Sequence, residues 1–157
     1  LIMANWLGHT NQKLYQARLL LDESSRSAGP AALSSALREG GVYLMRDAYI
    51  SYLNELAELA GVKTTVTSLQ QAMDVTGLVI GEMTELKQLE DDPYSWLTEF
   101  LRGAEGQNMP AAPAGAVEVT PAGLIPLMNQ SQESTPLEWW QSLSDLIDSQ
   151  RLHRRES

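Results

Sequence analysis

A chain of 157 residues, 43% of them hydrophobic, fits one domain that buries a core without staples, and its lack of cysteine excludes disulfides, thiolate metal sites and cysteine nucleophiles. Formal charge is −9, divided as −5 over residues 1–103, −6 over 104–150 and +2 over 151–157. No nucleic-acid or membrane partner is therefore expected, since both phosphate-rich surfaces demand a dense basic face.

The start, LIMANWLGHTNQK, carries neither a basic leader nor a long apolar run. No window reaches the roughly 20 apolar residues of a membrane span, so the expected location is cytoplasmic. Met3-Ala4 reads as a translation start, which leaves Leu1 and Ile2 without a structural role. The first helix is predicted over about Thr10 to Ser25, or from Asn5, with Leu7, Leu14 and Leu21 seven apart and Ala17 between them. Asn5 or Thr10 can cap it through a side-chain oxygen.

SSRSAG then breaks the pattern, and so short a connection predicts an antiparallel hairpin in which position i faces about position 54 − i. The second helix, Pro30 to Gly61, organises the fold. Proline suits its first position and glycine its left-handed stop. Leu33, Leu37, Leu44, Ala48, Tyr52, Leu56 and Leu59 are expected to form its core stripe. The hairpin register sets Gly40 and Gly41 beside Lys13 to Tyr15, where a glycine pair costing about 1 kcal/mol per residue implies close helix packing.

After the turn VKTT, Thr67 to Gln70 reads as a capping box opening a short helix to about Val75. Gly77 interrupts, and a further helix is predicted over Leu78 to Glu90 with Ile80, Met83, Leu86 and Leu89 on one side. Asp92-Pro93 reads as a cap and first-position proline for a helix holding Trp96, Leu97, Phe100 and Leu101, which should cover the end of the long helix. From Gly103 to Ser134 the composition turns to alanine, proline and glycine, a linker or extended strap. Thr135-Pro136-Leu137-Glu138 then combines a capping box with a first-position proline. The helix it opens presents Leu137, Trp140, Leu143 and Ile147, widened by Trp139 and Leu146, and should dock on the bundle in its own chain or a symmetry mate.

Chemistry is sparse. His9 and His153 belong to no metal-ligand spacing, and no nucleophile elbow, P-loop or dinucleotide fingerprint is present, so no catalytic residue, cofactor or metal is expected. Glu82, Glu85, Asp91 and Asp92 read as a solvated acidic face. Glu55 lies on the flank of the core stripe as a candidate buried acid, either a structural hydrogen-bonding or rim group or, with a raised pKa, an acid–base group. Trp139 and Trp140 diverge by about 100° on their helix, which makes one of them a candidate partner-binding surface. The arginines 151, 154 and 155 form the only basic cluster and read as complements to a helix terminus.

The segments TNQKLYQARLLL, DDPYSWL and LEWWQSLSDLIDSQR together resemble an uncharacterised family of small bacterial all-helical proteins, a domain of unknown function. That resemblance covers nearly the whole chain, implies an all-helical bundle and transfers no catalytic residue. A likeness of architecture alone extends to the helical bundles of bacterial toxin systems, whose helical Arg-to-His spacing has no counterpart here.

The expected architecture is an all-α antiparallel bundle of about four to six helices. Residues 1–103 form the core, 104–134 the linker or strap, and 135–157 the C-terminal helix packing back. The expected role is a non-enzymatic interaction or scaffold protein of a bacterial cytoplasm, acting on an unknown protein partner or as a homodimer. The alternative is a carboxylate-based metal- or nucleotide-dependent enzyme.

Overall fold

A computed structural model describes residues 4–77, 80–110 and 135–156. Among the described residues it is all helical: α1 Trp6–Arg26, α2 Ala31–Leu59, α3 Leu69–Thr76, α4 Gly81–Asp91, α5 Trp96–Gly106 and α6 Pro136–Glu156.

Asn5 caps α1 by accepting from the Gly8 amide at 2.9 Å. Thr10, the other candidate cap, lies a turn inside the helix. It is buried, within 2.9 Å of the Trp6 carbonyl and 2.7 Å of Ser51 Oγ on α2. Leu14, Ala17 and Leu21 are buried as expected, whereas Leu7 is 47% exposed, because a seven-residue stride drifts about 20° per repeat.

The α1–α2 hairpin is antiparallel, but its register lies about a turn beyond the expected one. Ser24 pairs with Ser34, and Gly41 sits on Ala17 and Leu21 rather than near Lys13 to Tyr15. The reason is local. Ser25 and Arg26 stay helical, with Ser25 Oγ donating to the Asp22 carbonyl and Arg26 paired to Glu23, so the turn moves to residues 27–30. The close packing itself is there: a Cβ on Gly41 would stand 2.7 Å from Leu21 Cδ2 and 3.3 Å from the Ala17 carbonyl oxygen.

α2 begins after Pro30 and closes where Gly61, at φ 86°, turns left-handed and donates to the Glu58 carbonyl. Its core face differs from the expected stripe. Val42, Met45, Ala48, Tyr49, Tyr52, Leu53, Leu56 and Ala57 are buried, while Leu33 and Leu59 are exposed and Leu37 and Leu44 only half-buried. The first turns of α2 lie beside α1, but every residue from Ser51 to Ala57 is buried because α3, α5 and α6 also close on that half. A helix enclosed on all sides has no single stripe to read.

Asn54, in the middle of that enclosed stretch, accepts from the Val66 amide and donates to the Val66 carbonyl, which pins the turn leading to α3. The cap of α3 is Ser68, one residue later than expected. It accepts from the Gln71 amide, and Gln71 Oε1 accepts from the Thr67 amide. Gly77 stops α3 at φ 62°.

Leu78 and Val79 lie outside the described residues, and α4 starts at Gly81 with Met83 and Leu86 buried. Ser95, not Asp92, caps α5. Asp92 closes α4 and its carboxylate accepts from the Tyr94 amide. Ser95 and Thr98 both donate to the Leu89 carbonyl, satisfying an acceptor that the end of α4 leaves open. Leu97 and Phe100 are buried, and α5 packs against α2.

α5 continues three residues past Gly103 with Ala104 buried. The rest of the expected strap lies largely outside the described residues. The capping box of α6 is reciprocal, Thr135 N donating to Glu138 and Glu138 N to Thr135 Oγ1, and the helix runs through Glu156, five residues past Arg151. It packs on α1, α2 and α5 of its own chain. Leu143 and Ile147 complete the core with Tyr52, Leu56, Met83, Leu86, Leu97 and Phe100.

Candidate functional site

One group of interlocked polar residues lies where the C-terminal half of α2 meets α6. Tyr52 and Glu55 come from α2, where three residues of separation set them on neighbouring parts of one face. Gln150, Arg151 and Arg154 come from α6, which runs antiparallel to α1. α4 adds Glu82 and Glu85, and α1 adds Asn11.

Glu55 is 7% exposed, and its carboxylate meets a forked partner. Arg151 Nε donates to Oε1 at 3.2 Å and Nη2 to Oε2 at 2.8 Å, while Nη1 donates to Asn11 Oδ1 at 2.7 Å. Two parallel N–H bonds fix orientation as well as charge. The buried acid foreseen in the sequence thus has a cation as its partner, 96 positions along the chain.

Beside this pair Tyr52 donates to Gln150 Oε1 at 2.5 Å, and Gln150 Nε2 donates to the Glu82 carbonyl and to Glu85 Oε1. Arg154 Nη1 donates to the Tyr52 hydroxyl at 3.1 Å and stands 3.7 Å from Glu82. Burial pushes the Tyr52 phenol up to about 12, and the nearby Arg154, which favours the phenolate, only partly opposes it. Tyr49, on the previous turn, donates to Glu90 at 2.5 Å, and burial together with that carboxylate raises its phenol well above the ordinary range.

The adjacent tryptophans use their divergence inside the molecule. Trp139 faces α5: its six-membered ring would come within 2.9 Å of a Cβ on Gly103, and its centroid lies 6.1 Å from that of Phe100. Its Nε1 is buried and has no hydrogen-bond partner among the described residues. Trp140 faces α1, donating from Nε1 to the Leu14 carbonyl at 2.8 Å beneath Arg18, whose guanidinium carbon is 4.9 Å from the ring centroid. Both indoles are half-buried and engaged with their own chain.

The acidic residues of α4 divide. Glu85 reaches α6, Asp91 pairs with Lys87 at 2.7 Å, and Asp92 serves the turn. His9 and His153 are exposed, His9 standing edge-on to Trp6. Among the described residues no group of three or more His, Cys, Asp or Glu is arranged to hold a metal.

Sequence reasoning reached Glu55 but missed Gln150, Asn54 and the partner role of Arg151. Asn54 sits in the apolar run YLNEL and Gln150 three residues beyond Ile147, so both are polar side chains at buried phases. That phase is the signal from which they could have been found.

Chemically the cluster is a tie. Its carboxylate is engaged by a guanidinium on both oxygens and its phenol donates to Gln150, so these groups are spent on one another. A family model described as a family of unknown function, DUF6586, matches residues 3–157, nearly the whole chain. No curated protein and no solved structure matches it.

Proposed function

We propose that this chain, which belongs to the DUF6586 family, is a non-catalytic helical interaction protein of the bacterial cytoplasm that presents its bundle surface to a protein partner or a second copy. The observation that carries this reading is the use made of the buried polar groups. Glu55, Tyr52, Gln150 and Arg151 are all engaged in fastening α6 to α1, α2 and α4. Residues so engaged stabilise a shape; they are not left available for a substrate. The cysteine-free composition suits a reducing compartment.

Two measurements test the proposal. Affinity capture with the full chain as bait, combined with light scattering, should return a reproducible partner or a dimer. A monomer that captures nothing reproducibly counts against it. A thermal-shift screen across divalent ions and nucleotides should be flat. A ligand at 100 times its dissociation constant adds about 2.7 kcal/mol of stability, so a clear shift would favour a carboxylate-based enzyme instead.

A further inference from the structure

The α1–α2 hairpin ends in a tip without a core of its own. No residue from Asp22 to Gly40 is buried, although Leu33 and Leu37 lie in that stretch. Leu33, Leu37, Gly40 and Leu44 recur on α2 at steps of four, three and four, which makes them one stripe. Leu20 of α1 adjoins it, since a Cβ on Gly40 would stand 3.1 Å from Leu20 Cδ1. Leu44 touches the core, but among the described residues Leu20, Leu33 and Leu37 stand outside it, and Leu33 is 48% exposed. The stripe faces away from α6. Trp140 of α6 lies against Arg18, and at about 100° per residue Arg18 and Leu20 stand about 160° apart around α1.

Charge decides what such a face can meet. Between Arg18 and Leu44 three arginines stand against Asp22, Glu23 and Glu39, so the tip is neutral. The whole formal charge of −9 therefore lies on the rest of the chain. A basic partner would be drawn to that acidic body and not to a neutral apolar tip. A second copy carries the same −9 and is repelled from every approach that brings the two bodies together. Tip to tip, two copies join the surfaces that carry no net charge and keep their acidic bodies apart.

We propose that the tip of the α1–α2 hairpin is a self-association surface, on which a second copy lays its own tip about a two-fold axis. Leu20, Leu33 and Leu37 of each copy then close a four-helix core that neither copy has alone. This surface narrows the interaction role proposed for the chain, on which it rests, to pairing with a second copy.

Sedimentation velocity of the full chain over a concentration series should show a monomer–dimer equilibrium. The dimer should tighten as sodium chloride rises from about 0.01 M to about 0.15 M, because screening removes repulsion between the bodies. Leu33→Glu should weaken it at least about tenfold, since a two-fold interface loses the contact twice, whereas Leu59→Glu at the other end of α2 should leave it unchanged. Both positions are exposed, and unchanged melting curves would show that each variant is folded. The chain has no cysteine, so a spin label on Ala36→Cys, an exposed position of the tip, reads the distance between copies. That distance should be shorter than the one between labels on Lys63→Cys, past the far end of α2. A monomer at every concentration, whether residues 111–134 of the same chain cover the face or nothing does, would overturn the proposal. So would a dimer that Leu33→Glu leaves intact, that salt loosens, or whose labels stand closer at position 63 than at position 36. The interaction role fails separately: a dimer built elsewhere, or a monomer that captures a foreign protein, ends the hairpin pairing and leaves that role standing.

Discussion

Neighbouring glycines in α2 are set to behave differently when substituted. A Cβ on Gly41 would be driven into Leu21 and toward the Ala17 carbonyl, so Gly41→Leu is expected to lose about 1–3 kcal/mol through overpacking, read by urea denaturation. The methyl group of Gly40→Ala would meet only the flexible tip of Leu20 at 3.1 Å. Its gain in helix propensity, up to about 1 kcal/mol, should leave that variant neutral or more stable, and a loss comparable to that of Gly41→Leu would contradict the packing described. Tyr52 supplies a prediction in pH. Its phenol is raised from 10.0 to about 12 on folding, so below pH 10 both states carry the proton. Between these values the unfolded chain releases its proton first, and stability must fall as pH rises through the interval, by roughly 3 kcal/mol for this residue alone. Tyr49 acts in the same direction. Denaturation curves from pH 9 to pH 12 should show the decline, and Tyr52→Phe should flatten part of it.

At the scale of elements, α6 is a structural member and not a tail. Removing residues 135–157 takes away Leu143, Ile147, both indoles and the guanidinium paired with Glu55. Fully burying a large apolar side chain is worth about 1.5–3 kcal/mol, so the truncated protein should melt far lower and bind ANS. An unchanged melting temperature without dye binding would mean that the helix contributes nothing to the bundle. A finer test is Arg151→Ala, which leaves a buried carboxylate unpaired and should cost about 3 kcal/mol or more. Elements bounded by local chemistry were legible in the sequence: Asn5, Gly61, Gly77 and the Thr135 to Glu138 box all act where the sequence predicts, while Pro30 stands at the cap, one residue before the first position expected of it. At α5 the expected cap Asp92 gives way to Ser95, whose hydroxyl, like that of Thr98, reaches a carbonyl of α4, a contact no local pattern contains. The core face of α2 was illegible for a similar reason. Its phase depends on α3, α5 and α6, which arrive from later in the chain. Glu55 could be singled out by its position, but its partner could not, because a pairing between residues 96 apart leaves no periodic trace.

For the molecule as a whole, a formal charge of −9 on a chain of 157 residues implies self-repulsion that ions should relieve. Raising sodium chloride from about 0.01 M to about 0.15 M shortens the screening length from roughly 30 Å to 8 Å, and the melting temperature should rise. A fall would mean that exposed pairs such as Lys87–Asp91 outweigh the net charge. The fork joining Glu55 to Arg151 is largely shielded from this effect, with only 7% and 12% of its side chains exposed, but it is subject to time. Chains are made from the N-terminus at about 5–20 residues per second, so the 96 residues between the two partners take about 5 to 20 seconds to appear. Throughout that interval the α1–α2 hairpin carries an acid destined for the interior with no cation to meet it. The enclosed half of α2 therefore cannot reach its final state as it leaves the ribosome, and completion of the bundle waits until α6 has been synthesised.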